Sequence, residues 1–225
     1  HLASPAATTQ CRTTAAHRPH PSILFFPGLT SRPFWDASEL PLGGLVDSLD
    51  VIKEEYGVMK AAQGSDYHTT EGEHVLNEGS WDWHSLVQKG RVQTEFAVKC
   101  PKTTEAITNL PRLMLGVPFA YAFFSTLHAG SRIKPHFGPS NLRLRVHLPL
   151  SVPSGCGIRV AGEDREWAEG EPLVFDDAYE HEVWNDSDED RVLLLLDLWH
   201  PELTAGEIVA VQGMFDQARD KGWLT

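Results

Sequence analysis

The sequence lacks several features that would assign it to a familiar class at once. It has only three cysteines in 225 residues, without CxxC spacing, which excludes a disulfide framework and a cysteine-based zinc site. No apolar run approaches the ~18 residues that a membrane helix needs, since the longest, VLLLLDLW, is of strand length. Lys and Arg number 19 against 31 Asp and Glu, for a formal net charge of −12. That balance argues against a nucleic-acid partner, whose phosphates require a basic surface.

What remains is the composition of a soluble globular protein, 41% hydrophobic and 22% charged. The length suits one domain with a substantial core. Cys11, Cys100 and Cys156 are expected as free thiols, with a Cys100–Cys156 bridge as the alternative. The sequence leaves the oligomeric state and the compartment open; we expect a soluble protein, with the cytoplasm favoured.

The chain divides into a flexible N-terminal arm and a single domain. Apolar spacing of helical type comes first, then short β-rich runs separated by Gly, Pro, Asn and Asp, which predict a jelly roll flanked by helices. A final amphipathic helix is expected to begin at Thr204, with Glu207 completing a capping box. The predicted segments are the arm over 1–20, the domain over 21–225, its helical part over 36–117, its β-core over 118–200 and its last helix over 204–221.

One predicted strand, residues 142–150, alternates leucine or valine with polar side chains. Arg143, Arg145 and His147 share one of its faces, which a solvated surface would also explain. Arg191, however, opens the very apolar strand RVLLLLDLW, where a buried guanidinium needs an anionic partner. Asp197 on the same face is poorly placed for that role, so a small dicarboxylate ligand is the sharper explanation.

Two histidines lie at predicted strand edges beside Gly- or Asp-rich turns. His136 stands in PHFGP and His181 in FDDAYEHEVWN. Their spacing alone does not predict a metal site.

Several segments in order resemble one family. KPHFGPSNLRLRVHL, GIRVAGEDREWAEGEPLVFDDAYEHEVWN and DLWHPELT are similar to the catalytic domain of the aspartyl/asparaginyl β-hydroxylases, and FFPGLTSRPFWD and VQKGRVQTEF to its amino-terminal half. The likeness runs from about Phe25 to Thr204. It implies a double-stranded β-helix, and an enzyme that uses iron(II), 2-oxoglutarate and dioxygen to oxidise an unactivated C–H bond, with succinate and CO₂ as co-products.

The resemblance also implies roles for particular residues. His136 and His181 match the two iron ligands. Together with Arg191 they are the implied catalytic residues. Arg191 matches the arginine that binds the far carboxylate of 2-oxoglutarate. The other co-substrate contacts are implied to be Ser125, at that same carboxylate, and Arg145 and His147, at the keto-acid end.

Gly138 stands where most oxygenases of this chemistry carry the carboxylate of a two-histidine, one-carboxylate triad. The β-hydroxylase family itself has glycine there, so water is implied to complete the metal's ligands. Phe137 is expected to narrow the site, and residues 1–117 show no likeness to the helical repeats of the larger peptide hydroxylases. We therefore expect a substrate smaller than a protein domain, such as a free or carrier-bound amino acid. Trp81 and Trp83 are expected either to line the substrate pocket or to pack in the core.

Other functions remain compatible with these residues. An oxidative cyclase or desaturase would share every iron and co-substrate residue. A lipid hydroxylase is a near relative, although such chains usually carry apolar membrane segments. A halogenase is a further alternative because Gly138 leaves room for chloride, and a non-catalytic binding module would use the fold without the chemistry.

Overall fold

Twelve strands dominate the chain in its computed structural model, which describes residues 17–61, 64–67 and 76–223. The strands in these ranges are β1 (Phe34–Trp35), β2 (Asn77–Glu78), β3 (Trp81–Gln88), β4 (Arg91–Val92), β5 (Ala122–Leu127), β6 (Arg132–His136), β7 (Arg143–Ser151), β8 (Cys156–Val160), β9 (Glu163–Arg165), β10 (Leu173–Phe175), β11 (His181–Asn185) and β12 (Arg191–Trp199).

Five α-helices accompany the strands in the same ranges: α1 (Gly43–Asp47), α2 (Leu49–Ala61), α3 (Thr94–Lys99), α4 (Pro101–Thr108) and α5 (Ala205–Asp220). Helix α5 begins as predicted, with Thr204 and Glu207 forming a capping box. Helix α4 begins at Pro101, which suits the first helical position because proline loses no intrahelical hydrogen bond there.

The strands form two antiparallel sheets that face each other. The larger has the order β1-β10-β7-β12-β5-β3-β4 and the smaller the order β2-β6-β11-β8-β9. From β5 to β12 the chain passes repeatedly from one sheet to the other. This is the double-stranded β-helix, or jelly roll, predicted from the short β-rich runs.

The predicted helical segment over 36–117 contributes strands as well. Trp81–Gln88 pairs with β5 from Trp81↔Leu127 to Val87↔Ala122 and extends the larger sheet, a pairing between distant segments that the local pattern did not reveal. Leu24 forms an isolated bridge with Ser140. The arm predicted over 1–20 falls largely outside the described residues, but His20 is hydrogen-bonded to Ala178.

Strand alternation distributes the side chains of the larger sheet between two cores. Leu144, Val146, Leu148 and Leu150 of β7 face helices α1–α4, as the sequence predicted. Phe123, Leu193 and Leu195 face the smaller sheet. Polar residues of β7 and β12 that lie on the same face of the larger sheet as this second set therefore point into the space between the two sheets. The candidate site lies in that space.

Cys100 and Cys156 are both free and buried, which confirms the free-thiol expectation for these two and makes the bridge wrong. Burial raises the pKa of Cys100 to about 12, so its thiol is a packing group. Cys11 lies outside the described residues. Within the described ranges, no helix combines the length and apolarity needed to cross a bilayer.

Candidate functional site

His136 and His181 face each other at the mouth of the space between the sheets. His136 ends β6, His181 begins β11, and the two residues are paired in register. Their ring centroids lie 4.1 Å apart. The antiparallel pairing therefore brings together two imidazoles that are 45 positions apart in the chain.

Each ring is oriented by a main-chain carbonyl two residues before it. His136 Nδ1 lies 2.7 Å from the Lys134 oxygen and His181 Nδ1 lies 3.0 Å from the Tyr179 oxygen. A carbonyl only accepts, so Nδ1 carries the hydrogen and Nε2 is left as the lone-pair nitrogen of each ring. Burial lowers the pKa of both histidines, and for His181 the neighbouring His136 lowers it further. Both rings are thus held in the neutral form that binds metals.

Gly138, two residues beyond His136, lies against a buried carboxylate. A Cβ at position 138 would overlap the carboxylate of Asp177, and the Gly138 N–H donates to the Asp177 carbonyl oxygen at 2.6 Å. Burial raises the pKa of Asp177, but Arg143 and Arg145 outweigh this and hold it below its ordinary value. An ionised carboxylate therefore occupies the space that an acidic side chain at 138 would need.

Arg191 is buried without an internal counter-charge. Its side chain is 1% exposed, and neither Nε nor Nη2 has a hydrogen-bond partner in the described part of the chain. Its guanidinium lies over the ring of Trp167, 5.3 Å from the centroid. Burial lowers the pKa of Arg191 to about 10, which still leaves it charged at neutral pH. A buried, unpaired cation costs several kcal/mol, so its position calls for an anion.

Ser125 and His147 line the same cavity as Arg191. Ser125 Oγ accepts a hydrogen bond from Trp81 Nε1 at 2.9 Å, which leaves its hydroxyl hydrogen free to point elsewhere. Both ring nitrogens of His147 are buried and lack partners among the described residues. Burial and the Arg191 charge hold the pKa of His147 well below its ordinary value, so the ring is neutral.

Arg145 also lines the cavity, but its charge is already balanced. It donates to Asp197 from Nε at 2.9 Å and from Nη2 at 3.2 Å. Arg143 is buried behind it and forms ion pairs with Asp177 and Asp197. The positive charges of Arg143 and Arg145 are thus balanced by Asp177 and Asp197. Arg191 is left to give the cavity a net positive charge.

The enclosed space is small. It measures about 20 Å³, which is close to the room required by one water molecule. A five-carbon dicarboxylate therefore enters only if lining side chains move.

Comparison with known sequences identifies the family. A sequence model described as aspartyl/asparaginyl beta-hydroxylase matches residues 47–201. The chain belongs to the aspartyl/asparaginyl β-hydroxylase family. This confirms the resemblance found in the sequence motifs.

Curated relatives agree. The chain is 38% identical to human aspartyl/asparaginyl beta-hydroxylase over 183 residues, which cover 79% of this chain and 24% of that protein. It is 32% identical to aspartate beta-hydroxylase domain-containing protein 2 of Xenopus tropicalis over 206 residues, 88% of this chain and 55% of the relative. The chain thus spans about a quarter to a half of the length of these proteins.

Similarity to solved structures is looser. A prolyl-4-hydroxylase from Pseudomonas putida matches 71% of this chain and 98% of its own, with a TM-score of 0.41 and 13% identity. A cupin 2 conserved barrel domain protein from Salinispora arenicola matches 68% of this chain and 98% of its own, with a TM-score of 0.34 and 10% identity.

The candidate metal site offers two imidazoles, those of His136 and His181. Across the described ranges, no group of three or more His, Cys, Asp or Glu side chains is arranged to hold a metal ion. Two neutral imidazoles with free Nε2 atoms suit iron(II), with the remaining positions open to water and a chelating ligand. The donor set therefore fits the metal that the family resemblance implies.

Sequence reasoning missed Asp177 and Trp167 and considered Asp197 only as a partner for Arg191. Asp177 and Asp197 fix the charges of Arg143 and Arg145, and Trp167 lies under Arg191. The FDD run had drawn attention only as an acidic turn before His181, and Trp167 stands in a polar segment without periodicity. Pairing between residues 34 to 54 positions apart is not readable from a local pattern.

Proposed function

We propose that this chain is an iron(II)- and 2-oxoglutarate-dependent hydroxylase. It couples conversion of 2-oxoglutarate and dioxygen into succinate and CO₂ to oxidation of an unactivated C–H bond. The position oxidised is the β-carbon of an aspartyl, asparaginyl or similar amino-acid-like substrate. Family membership supports the reaction class, and the geometry of the cavity supports the co-substrate.

The observation that carries the proposal is the unpaired guanidinium of Arg191. It is a buried cation in a cavity whose other charges cancel, and that cavity is also lined by His136 and His181. Burying such a charge is unfavourable unless a ligand pairs with it. A dicarboxylate with one end on Arg191 and the other on a metal at the histidines satisfies both requirements.

His136 and His181 would hold iron(II) through Nε2. When bound, the iron activates dioxygen, which is chemistry that no side chain of this chain supplies. Arg191 would clamp the far carboxylate, with Ser125 donating its hydroxyl hydrogen to the same group.

His147 and Arg145 would lie towards the keto-acid end. Neutral His147 has an N–H to donate, and Arg145 is held in place by Asp197. Trp81 and Phe175 line the cavity and would exclude water from it. A C–H bond of the substrate that is held in position then reacts in preference to water.

The substrate is proposed to be small. Phe137 follows His136 directly and packs edge-on against His20 at a centroid distance of 5.6 Å, and the cavity at the two histidines measures only about 20 Å³. A free or carrier-bound amino acid fits this reduced access better than a folded domain does.

Anaerobic titration of the purified chain with iron(II) and then 2-oxoglutarate tests the proposal. We expect a visible metal-to-ligand charge-transfer band that is absent in His136→Ala and requires higher 2-oxoglutarate in Arg191→Met. A folded protein without this band would refute the oxygenase assignment and favour a binding module.

Once a substrate is converted, the mass of the product identifies the type of reaction. A gained oxygen atom supports hydroxylation, whereas a loss of two hydrogens indicates the desaturase or cyclase alternative and a gained chlorine the halogenase. Succinate release in all three cases would keep the co-substrate assignment.

A further inference from the structure

The main chain of His20–Leu24, which we call the N-terminal strap, crosses the two turns that carry the candidate metal ligands. We propose that this strap is a positioning element for the His136–His181 pair and sets its metal affinity. The proposal rests on the function proposed above. The strap precedes residue 47, where the match to the family begins, so the family assignment does not describe it.

The strap is first bound to the turn that follows His136. The N–H of Ser22 donates to the Gly138 oxygen at 2.9 Å, and those of Ile23 and Leu24 donate to the Pro139 oxygen at 3.0 and 2.9 Å. Three successive N–H groups of the strap therefore donate to two successive carbonyl oxygens of one turn.

The same strap is bound to the turn that precedes His181. The N–H of His20 donates to the Ala178 oxygen at 2.8 Å. Between these two attachments, the His20 ring packs edge-on against Phe137, the residue next to His136. The strap thus bridges the two turns next to the His136–His181 pair.

Gly138 is consequently held from both sides of its backbone. Its N–H donates inward to the Asp177 oxygen, and its carbonyl accepts outward from Ser22. Asp177 is four residues before His181 in the chain. The peptide next to His136 is therefore fixed between the strap and the segment leading to the second ligand.

The sheet alone restrains His136 more weakly than His181, which begins a regular ladder with β8 at His181↔Val160. His136 is the last residue of β6 and His181 the first of β11, and their pairing is followed by a register shift before the ladder resumes at Val183↔Ile133. A bulge leaves the ladder locally disrupted. The hydrogen bonds of the strap supply restraints at the place where the ladder does not.

Hydrophobic burial does not explain why the strap lies there. Ile23 is 68% exposed and Phe25 is 56% exposed, and only Leu24 packs against the core near α5. Asn141 holds Phe26, two residues beyond the strap, by accepting from its N–H at 2.7 Å and donating to its oxygen at 2.8 Å. The strap is thus attached chiefly by its backbone, in a conformation that serves the turns it crosses.

Removing one main-chain donor tests the role without altering a metal ligand. Ser22→Pro deletes the N–H that binds Gly138, whereas Ser22→Ala keeps it and removes only a hydroxyl 3.5 Å from the same oxygen. Groups that orient metal ligands typically contribute about 10–100-fold to affinity. We expect Ser22→Pro to weaken cobalt(II) binding about tenfold and to change its d–d spectrum, and Ser22→Ala to behave as the unmodified chain.

Hydrogen exchange on the unmodified chain provides a second measurement that needs no variant. Coupling between strap and metal is reciprocal, so saturating cobalt(II) must slow exchange of the Ser22, Ile23 and Leu24 amides if the strap favours metal binding. This measurement shows whether the strap and the metal site are coupled even if Ser22→Pro does not fold.

Equal cobalt(II) affinity and spectra for Ser22→Pro and Ser22→Ala, or strap amides whose exchange is unchanged by metal, would overturn the inference. Both results presuppose that the unmodified chain binds cobalt(II) at His136 and His181. Failure of that binding in the unmodified chain would instead refute the proposed function.

Discussion

The backbone N–H of Gly138 donates to the carbonyl oxygen of Asp177, and the carboxylate of Asp177 fills the space where a side chain at 138 would stand. Position 138 is the one from which a two-histidine, one-carboxylate site would take its acidic ligand. In this chain the negative charge comes instead from a residue on the opposite segment, paired with Arg143.

Gly138→Asp is therefore expected to weaken metal binding by about tenfold or more, in spite of adding a carboxylate, because its Cβ displaces Asp177 and the rings that Asp177 neighbours. Isothermal titration with cobalt(II) measures the change. Gly138→Ala, which adds the Cβ without the charge, should lose a similar amount. Tighter binding by the aspartate variant would show that the space at 138 can be opened for a third ligand.

Arg191→Met should separate stability from function. Methionine removes a buried charge that has no partner while keeping similar bulk, so we expect the free energy of unfolding of the ligand-free chain to stay equal or rise. Affinity for 2-oxoglutarate should fall by about 100-fold, since truncating a buried carboxylate–guanidinium contact costs about 2–5 kcal/mol. Urea denaturation and ligand titration give the two numbers. A large loss of stability with unchanged 2-oxoglutarate affinity would assign Arg191 a structural role.

Asp197→Asn should destabilise the fold strongly. The carboxylate is fully buried and accepts hydrogen bonds from Arg143 and Arg145, and breaking such a buried pair typically costs about 3–5 kcal/mol. Asp164→Asn is the matched control, because its pair with Arg159 is solvent-exposed and is worth less than about 1 kcal/mol. Equal urea midpoints for the two variants would contradict the ion-pair account.

His128 predicts a pH dependence of stability. Its Nε2 lies 2.8 Å from Asp82 and its Nδ1 lies 2.9 Å from Asp190, and one ring can donate to both carboxylates only as an imidazolium. Burial lowers the pKa of His128, but the two carboxylates raise it by more, so the pKa lies above its ordinary value. Lys60 also contacts Asp190, so that carboxylate keeps one partner when the histidine is neutral.

Because the folded-state pKa is raised, this stabilisation is complete below the unfolded pKa of about 6.5 and is lost as the pH rises through the folded value. His128→Gln should lower the melting temperature at pH 6 and have a smaller effect at pH 9. Added salt should reduce the difference at pH 6, since the groups are partly exposed. A difference that is constant with pH would mean that His128 is neutral in the folded chain.

Local patterns were sufficient for much of the fold. The alternation in residues 142–150 predicted which side chains of β7 share its apolar face, because successive side chains of a strand point to opposite faces. Thr204 and Glu207 predicted the start of α5, because a capping box satisfies main-chain donors within four residues. The strand β3 was missed, since its eight residues become a strand only by pairing with β5.

The motifs around His136, His181 and Arg191 were sufficient to nominate the candidate site, but not to determine its charges. Arg143, Arg145 and Arg191 look alike in the sequence, each on a β-strand with apolar neighbours. Only the packing of the two sheets brings Asp177 and Asp197 against the first two and leaves the third unpaired. The sequence alone determined which groups are candidates for the site. The tertiary structure decided which cation is free to bind an anion, because the energy of a buried charge depends on neighbours that are distant in the chain.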